Sequence, residues 1–190
     1  ELRRRVRGET TEGLWLGLPK SRTMWPWGHA AVGYLLYSVF VRRSRGRPPD
    51  DLAVLALALG TQLPDLIDKP LAWSVAVLPT GRSLGHSLLT VALVLGVSWW
   101  IVGHGRRRYL AALGLGWVSH SVGDMVHLFA GGDFAYANFL LWPVLTTPPY
   151  GTEPSFAAHI LAMDVTPFFA LQFGLTLLAV VVWWRDGMPG

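Results

Sequence analysis

The segment GLGWVSHSVGDMVH, residues 114–127, combines an apolar stretch with three side chains of types that bind metals. His120, Asp124 and His127 occupy positions i, i+4 and i+7, so one face of an α-helix would carry all three. An ionisable side chain at membrane depth is costly and is usually present for a function. The segment therefore predicts a helix whose polar face belongs to a functional site.

Small residues extend this face toward the start of the predicted helix. Ala112 and Gly116 are four positions apart, a spacing that lets a second helix approach closely. We expect this approach to bring ligands from other helices next to His120 and Asp124.

The composition places the chain among membrane proteins. Of its 190 residues, 52% are hydrophobic and 15% are charged, whereas soluble domains are about 25% charged. The mean hydropathy is +0.37, and ten tryptophans add to the signal because tryptophan favours the membrane–water interface. The absence of cysteine excludes disulfides and thiolate ligands. We predict an all-α, polytopic membrane helix bundle in the cell membrane.

Five apolar stretches are candidates to cross a membrane. They run approximately over residues 25–41, 51–63, 84–102, 109–129 and 156–184. The second is short, and we expect its helix to continue through the PDLID turn inside the protein, where polar backbone finds partners. Pro167 is expected to kink the fifth. Together they predict about five spans in one membrane-embedded domain over residues 24–190.

Basic residues follow alternate stretches and predict the orientation. After the first, third and fifth stretches come Arg42, Arg43, Arg45, Arg47, Arg106, Arg107, Arg108 and Arg185. The opposite connections carry only Lys69 and Arg82. Because cytoplasmic loops are enriched in Lys and Arg, the arginine-rich ends are predicted to be cytoplasmic. The ligand-type residues then meet at the extracytoplasmic face.

Residues 1–23 conflict with this orientation, because this basic segment would lie outside the cell. We predict an extension that is not native or is disordered, since Met24 directly precedes the first stretch. The alternative is a basic arm that lies on a membrane surface. A cleaved signal peptide is disfavoured, because no small-residue cleavage site follows the apolar run.

Six side chains at the extracytoplasmic face are candidate metal ligands: His29, Asp65, His86, His120, Asp124 and His127. Nitrogen and oxygen ligands without sulfur suit Zn²⁺, and also Mn²⁺ or Fe²⁺. Two residues, Asp68 and His127, are as well suited to support a ligand as to bind the metal directly. The sequence leaves the number of ions open.

Five short segments carry a resemblance to a known family. They are WGH at 27–29, LPDLIDKP at 63–70, GRSLGHSLL at 81–89, GWVSHSVGDM at 116–125 and LLWP at 140–143. In order and spacing they resemble the YdjM-like family of prokaryotic membrane-bound metal-dependent hydrolases. That family is thought to be related in fold to zinc-dependent phospholipase C and the single-strand nucleases, which implies a phospholipase-C-like metal site. By this resemblance, the family's ligands correspond to His29, Asp65, His86, His120 and Asp124.

The chain departs from the family pattern at three positions. Gly81 stands where a histidine usually precedes the arginine, which here is Arg82. The usual PDxD turn is PDLID, so Asp68 is one position displaced, and His127 replaces a threonine. The resemblance therefore leaves the roles of Asp68 and His127 undetermined.

Chemistry and resemblance together predict a metal-dependent hydrolase of phosphoester bonds in a lipid or amphiphilic substrate. A bound cation polarises the phosphoryl group and lowers the pKa of a bound water toward neutrality. Asp68 is the candidate to orient or deprotonate that water. Arg82 is the candidate to hold the phosphate, with a snorkelling interface arginine as the other interpretation.

Membrane lipids are the expected partners, and nucleic acid is not, because the outer connections are not basic. The alternative class is a non-catalytic metal-binding membrane protein or a metal transporter. A transporter would carry its ionisable residues near the membrane midplane, whereas these residues cluster at helix ends.

Overall fold

The computed structural model describes residues 24–132, 134–146, 156–161, 163 and 165–190. The predicted extension, residues 1–23, lies outside the described residues. The six α-helices in the described ranges are α1 (Pro26–Arg45), α2 (Asp51–Lys69), α3 (Leu88–Ile101), α4 (Arg107–Gly131), α5 (Phe156–Leu161) and α6 (Pro167–Arg185). A π-helical turn follows α2 at Pro70–Ser74, and 3-10 segments occupy His104–Arg106 and Phe134–Leu141. The described ranges contain no strand, so the all-α prediction is confirmed.

Helix α2 continues through the PDLID turn, as predicted. The Asp50 side chain caps its start by accepting a hydrogen bond from the backbone N–H of Ala53 at 3.1 Å. Pro64 lies inside the helix and is buried. The helix therefore carries both Asp65 and Asp68, one turn apart, at its C-terminal end.

Helix α3 begins later than the sequence predicted. A start near Leu84 was wrong, because residues 81–86 form turns and Ser87 caps the helix that begins at Leu88. The Ser87 hydroxyl accepts hydrogen bonds from the backbone N–H groups of Leu89 and Thr90, at 3.2 and 3.5 Å. His86 consequently lies on a loop, immediately before the helix.

The predicted fifth stretch is two helices rather than one kinked helix. Thr166 caps α6, its hydroxyl accepting a hydrogen bond from the Phe169 N–H at 3.1 Å. Pro167 occupies the first helical position, where the missing N–H costs nothing. A strong N-cap followed by proline starts a new helix and separates α6 from α5.

Helix α6 is the described helix that is both long and apolar enough to cross a membrane. Helix α3 is equally apolar in character but shorter, with 14 residues. Its surface is exposed, with exposed fractions of 67% for Leu93, 85% for Trp100 and 77% for Ile101. A helix that is apolar all round and exposed is suited to a lipid environment.

A buried carboxylate joins the ends of α1 and α6. Asp186 accepts hydrogen bonds from Tyr34 Oη at 2.7 Å, Ser38 Oγ at 2.6 Å and Arg42 Nε at 2.7 Å. Burial alone would raise the pKa of Asp186, but the hydrogen bonds from Ser38, Tyr34 and Arg42 hold that pKa below its usual value. The arginine-rich end of the bundle is therefore closed by a satisfied polar cluster.

Helices α2 and α4 touch along their backbones, where both carry glycine. A Cβ on Gly116 would lie 2.4 Å from the carbonyl oxygen of Leu57, and one on Gly60 would lie 2.1 Å from that of Leu113. Ala112, one turn before Gly116, is fully buried. The predicted close approach at Ala112 and Gly116 is confirmed, and α2 is the partner helix.

We predict that Gly116→Ala lowers the thermal unfolding midpoint, because its methyl group must push α2 away from α4. Overpacking of this kind costs about 1–3 kcal/mol. The matched control is Gly96→Ala in α3, where nothing lies within 4 Å of the added Cβ. Equal midpoints for the two variants would contradict the described backbone contact.

Candidate metal centre

Five of the six predicted metal ligands meet in one place. His29 comes from α1, Asp65 from α2, His86 from the loop before α3, and His120 and Asp124 from α4. The three histidines are at most 1% exposed and Asp124 is 2% exposed. Such a collection of buried ionisable groups requires specific partners.

One group of ligand atoms forms a triangle. His86 Nε2 lies 3.2 Å from His120 Nε2, and Asp65 Oδ1 lies 3.6 Å from the first nitrogen and 3.7 Å from the second. Ligand atoms around a tetrahedral Zn²⁺ are roughly 3.3 Å apart, given Zn–N bonds near 2.0–2.1 Å. The triangle therefore has the dimensions of three tetrahedral zinc ligands.

A second group shares His120 with the first. His29, His120 and Asp124 also place ligand atoms within 4.8 Å of one another. The rings of His29 and His120 stack, with centroids 3.6 Å apart, and His29 Nε2 lies 3.4 Å from Asp124 Oδ1. Asp124 Oδ1 and both ring nitrogens of His29 are buried without a hydrogen-bond partner. These atoms are suited to an additional ligand role.

The second nitrogen of each triangle histidine is held by the protein. His120 Nδ1 lies 2.6 Å from the carbonyl oxygen of Thr61. A carbonyl can only accept, so Nδ1 carries the proton and Nε2 presents its lone pair to the site. His86 Nδ1 makes the corresponding contact, 2.8 Å from Asp68 Oδ2. Metal-binding histidines are commonly oriented by such contacts.

The Nε2 atoms of His86 and His120 therefore face each other, and a positive charge between them is favourable. Burial alone would lower the pKa of His86, but its interactions with Asp124 and Asp68 outweigh burial and raise the pKa to about 8. A proton on His86 Nε2 satisfies the contact with His120, and a divalent cation would take the place of that proton.

Asp68 lies behind His86, and its carboxylate is saturated. Beyond the His86 ring, it accepts hydrogen bonds from the backbone N–H groups of Ser83 and Gly85, both at 2.7 Å, and of His86 at 3.2 Å. Asp68 is fully buried. These contacts fix both the course of the loop and the orientation of the His86 ring.

Three members of the site are partly exposed. Arg82 and Asp65 retain side-chain exposures of 16% and 14%, and Lys69 retains 15%. Arg82 Nε donates to Asp124 Oδ2 at 2.6 Å, and Lys69 Nζ donates to Asp65 Oδ2 at 2.6 Å. Each of the two carboxylates is therefore paired with a partly exposed cation.

Aromatic packing closes another side. The ring of Phe139, which is fully buried, meets His86 edge to face at 5.8 Å between centroids. The Ser87 hydroxyl donates to the Trp142 carbonyl at 2.6 Å, which holds the same segment against α3. This apolar wall raises the strength of electrostatic interactions inside the site.

Some predicted residues are not tested by the geometry. The side chain of His127 lies outside the described part of the structure, so its role as a ligand stays a prediction. His104, a histidine outside the predicted ligand set, lies in an exposed 3-10 segment beside the arginines, away from the cluster.

Sequence reasoning missed two contributors. Lys69 had a usable signal, because it follows Asp65 by four positions in a helix, the spacing of an ion pair. The Thr61 carbonyl had none, since any residue supplies a backbone oxygen.

The donor set fits a divalent cation of the Zn²⁺, Mn²⁺ or Fe²⁺ type. Imidazole nitrogens and carboxylate oxygens are the ligands that these ions accept. A positive charge is favoured here, because buried acceptor atoms lack hydrogen-bond partners and two Nε2 atoms face each other. Asp65, His86 and His120 form the best-defined ligand group, and His29 and Asp124 the adjoining one.

Comparisons with known proteins identify the family of the chain. No curated protein and no solved structure matches the chain. The family model described as YdjM inner membrane protein matches residues 24–188, a range that contains every residue of the cluster. The chain therefore belongs to the YdjM inner membrane protein family.

Proposed function

We propose that the chain is a membrane-embedded, metal-dependent hydrolase that cleaves phosphoester bonds in a lipid or amphiphilic substrate. The observation that carries the proposal is the triangle of His86 Nε2, His120 Nε2 and Asp65 Oδ1, with edges of 3.2, 3.6 and 3.7 Å. Its histidines are fully buried, and two partly exposed cations, Arg82 and Lys69, pair with carboxylates of the cluster. Buried ligands that converge on an accessible position are typical of metal-dependent catalysis.

The protein residues divide into binding and orienting roles. Asp65, His86 and His120 would hold the cation, and His29 and Asp124 would complete its surroundings or hold a second ion. A bound divalent cation supplies Lewis-acid polarisation of the phosphoryl group and a water of lowered pKa. The Thr61 carbonyl and Asp68 keep the two imidazoles in the tautomer that a metal requires.

We assign Asp68 an orienting role in preference to that of a general base. A base must reach the water from which it takes a proton, but Asp68 is fully buried beneath His86 and accepts four hydrogen bonds. Asp65 and Asp124, whose oxygens belong to the two ligand groups, are better placed to contact that water.

The charges of the partly exposed members favour an anionic substrate. Arg82 and Lys69 retain partial exposure while each pairs with a carboxylate of the cluster. A guanidinium is a planar group whose geometry matches phosphate oxygens. We propose that Arg82 binds the phosphoryl group and that Lys69 adds attraction for it.

We further propose a multi-pass arrangement with the metal centre at the extracytoplasmic face. The arginines at the ends of α1 and α6 and at the start of α4 lie at the opposite end of the bundle from the ligands. The positive-inside rule places that end in the cytoplasm. Substrate would then reach the centre from the outer membrane surface.

We predict that His120→Ala and Asp124→Ala each abolish phosphodiesterase or phospholipase activity and sharply reduce bound zinc. Losing either residue leaves the cation with too few ligands, so the double variant should be no worse than the single variants. Activity is measured on a panel of phosphodiesters and phospholipids with Zn²⁺ or Mn²⁺ supplied, and bound metal by elemental analysis.

The matched control is His104→Ala, which removes an exposed histidine from the opposite end. It should retain both metal and activity. Tight metal binding without hydrolysis of any substrate would instead favour the non-catalytic metal-binding alternative. Failure of the wild-type protein to take up metal would contradict the proposed centre.

We predict that Asp68→Asn lowers metal affinity about 10–100-fold, the usual effect of losing a carboxylate that orients a histidine ligand. Titration of the purified protein with Co²⁺, followed by its visible absorption, measures affinity and coordination together. The control is Asp51→Asn at an exposed position of α2. Unchanged Co²⁺ affinity with a slower reaction would restore Asp68 as the base.

We predict that a cysteine at Val144 reacts with an impermeant thiol reagent on intact cells, whereas one at Arg45 does not. The protein contains no cysteine, so each variant carries a single label site. Val144 is 74% exposed and Arg45 is exposed at the other end. The reverse labelling pattern would place the metal centre in the cytoplasm.

A further inference from the structure

An apolar groove runs along the side of the bundle, and none of its lining residues is a candidate metal ligand. It has a volume of about 540 Å³ between α1, α3 and α4, and its walls include Leu36, Leu95, Leu115 and Val118. Ser119 is a polar residue that lines the groove, and its hydroxyl donates a hydrogen bond to the Gly116 carbonyl at 2.9 Å. The groove therefore offers no polar group to a ligand along its length.

The groove is long enough to hold an acyl chain. Its lining residues on α4 extend from Leu110 to Val122, a rise of about 18 Å at 1.5 Å per residue. This exceeds the half-thickness of a bilayer hydrocarbon core, about 15 Å, over which the acyl chain of one leaflet extends. An acyl chain lying along α4 would therefore fit within the groove.

A cationic group marks one end. Trp99 lines the groove, and the Arg107 guanidinium carbon lies 4.9 Å above the Trp99 ring. Arg107 Nε is buried and has no hydrogen-bond partner. Arg107 also opens the 25-residue helix α4, whose N-terminus attracts anions. Arg106 and Arg108, both exposed, add positive charge.

We propose that this groove binds one anionic phospholipid from the leaflet at the arginine-rich end. The acyl chain occupies the groove, and the phosphate is bound by Arg107 above Trp99. Charge complementarity selects the anionic headgroup, since one arginine near a membrane surface contributes about 1 kcal/mol toward an anionic lipid. The site is distinct from the metal centre and rests only on the proposed membrane placement, not on hydrolytic activity.

The test is native mass spectrometry of the protein equilibrated with equal amounts of dioleoyl phosphatidylglycerol and dioleoyl phosphatidylcholine. Wild-type protein should retain one phosphatidylglycerol with at least about fivefold preference, the equivalent of 1 kcal/mol. Arg107→Gln should remove that preference. Arg43→Gln, an exposed arginine at the same end of the bundle, should preserve it.

A second pair of variants tests the acyl chain independently of Arg107. Ala111→Trp fills the groove and should prevent retention of either lipid, whereas Ala58→Trp, on an exposed position of α2 outside the groove, should not. Equal retention of the two lipids by wild-type protein would overturn the proposal. Retention of phosphatidylglycerol by Ala111→Trp would also overturn it. So would a wild-type dimer that Ala111→Trp, and no other variant, dissociates, because a second copy of the chain would then be the occupant of the groove. Metal content is recorded on the same samples, so failure here is distinguishable from failure of the hydrolase proposal.

Discussion

The contact between the backbones of α2 and α4 is the constraint on which the metal centre depends. Because Gly60 and Gly116 lack side chains, the helices come close enough for His120 Nδ1 to reach the Thr61 carbonyl at 2.6 Å. The same approach leaves His120 Nε2 only 3.7 Å from Asp65 Oδ1. One additional carbon atom between the helices would separate the ligands that α2 and α4 contribute.

The electrostatics of the site favour a positive charge among its buried groups, because a buried polar group without a partner is costly. The Nε2 atoms of His86 and His120 oppose each other at 3.2 Å, a contact that a proton on His86 satisfies. Asp124 Oδ1 lies 3.4 Å from His29 Nε2, and neither atom has a hydrogen-bond partner. Under the proposed function, a divalent cation placed among these atoms would satisfy them together.

The sequence predicted the helical class, the polar face of α4 and the meeting of five side chains of ligand type, because each depends on local periodicity or on residue type. The start of α3 was missed, although Ser87 is a favoured N-cap residue. The course of the preceding loop was not predictable, because it depends on Asp68 accepting three backbone N–H groups from residues 83–86, a tertiary contact with no local signature. The break before α6 could have been predicted, since Thr166 and Pro167 form a standard helix start.

The two ends of the bundle differ in how their charges are used. At the arginine-rich end, Asp186 is satisfied by Tyr34, Ser38 and Arg42, and nothing there requires a further cation. At the other end, Arg82 and Lys69 each neutralise a carboxylate and still retain exposure. A phosphate headgroup lies at the same depth as such helix-end residues. Under the proposed function, a lipid would therefore present its phosphoester to the centre while its acyl chains remain in the membrane.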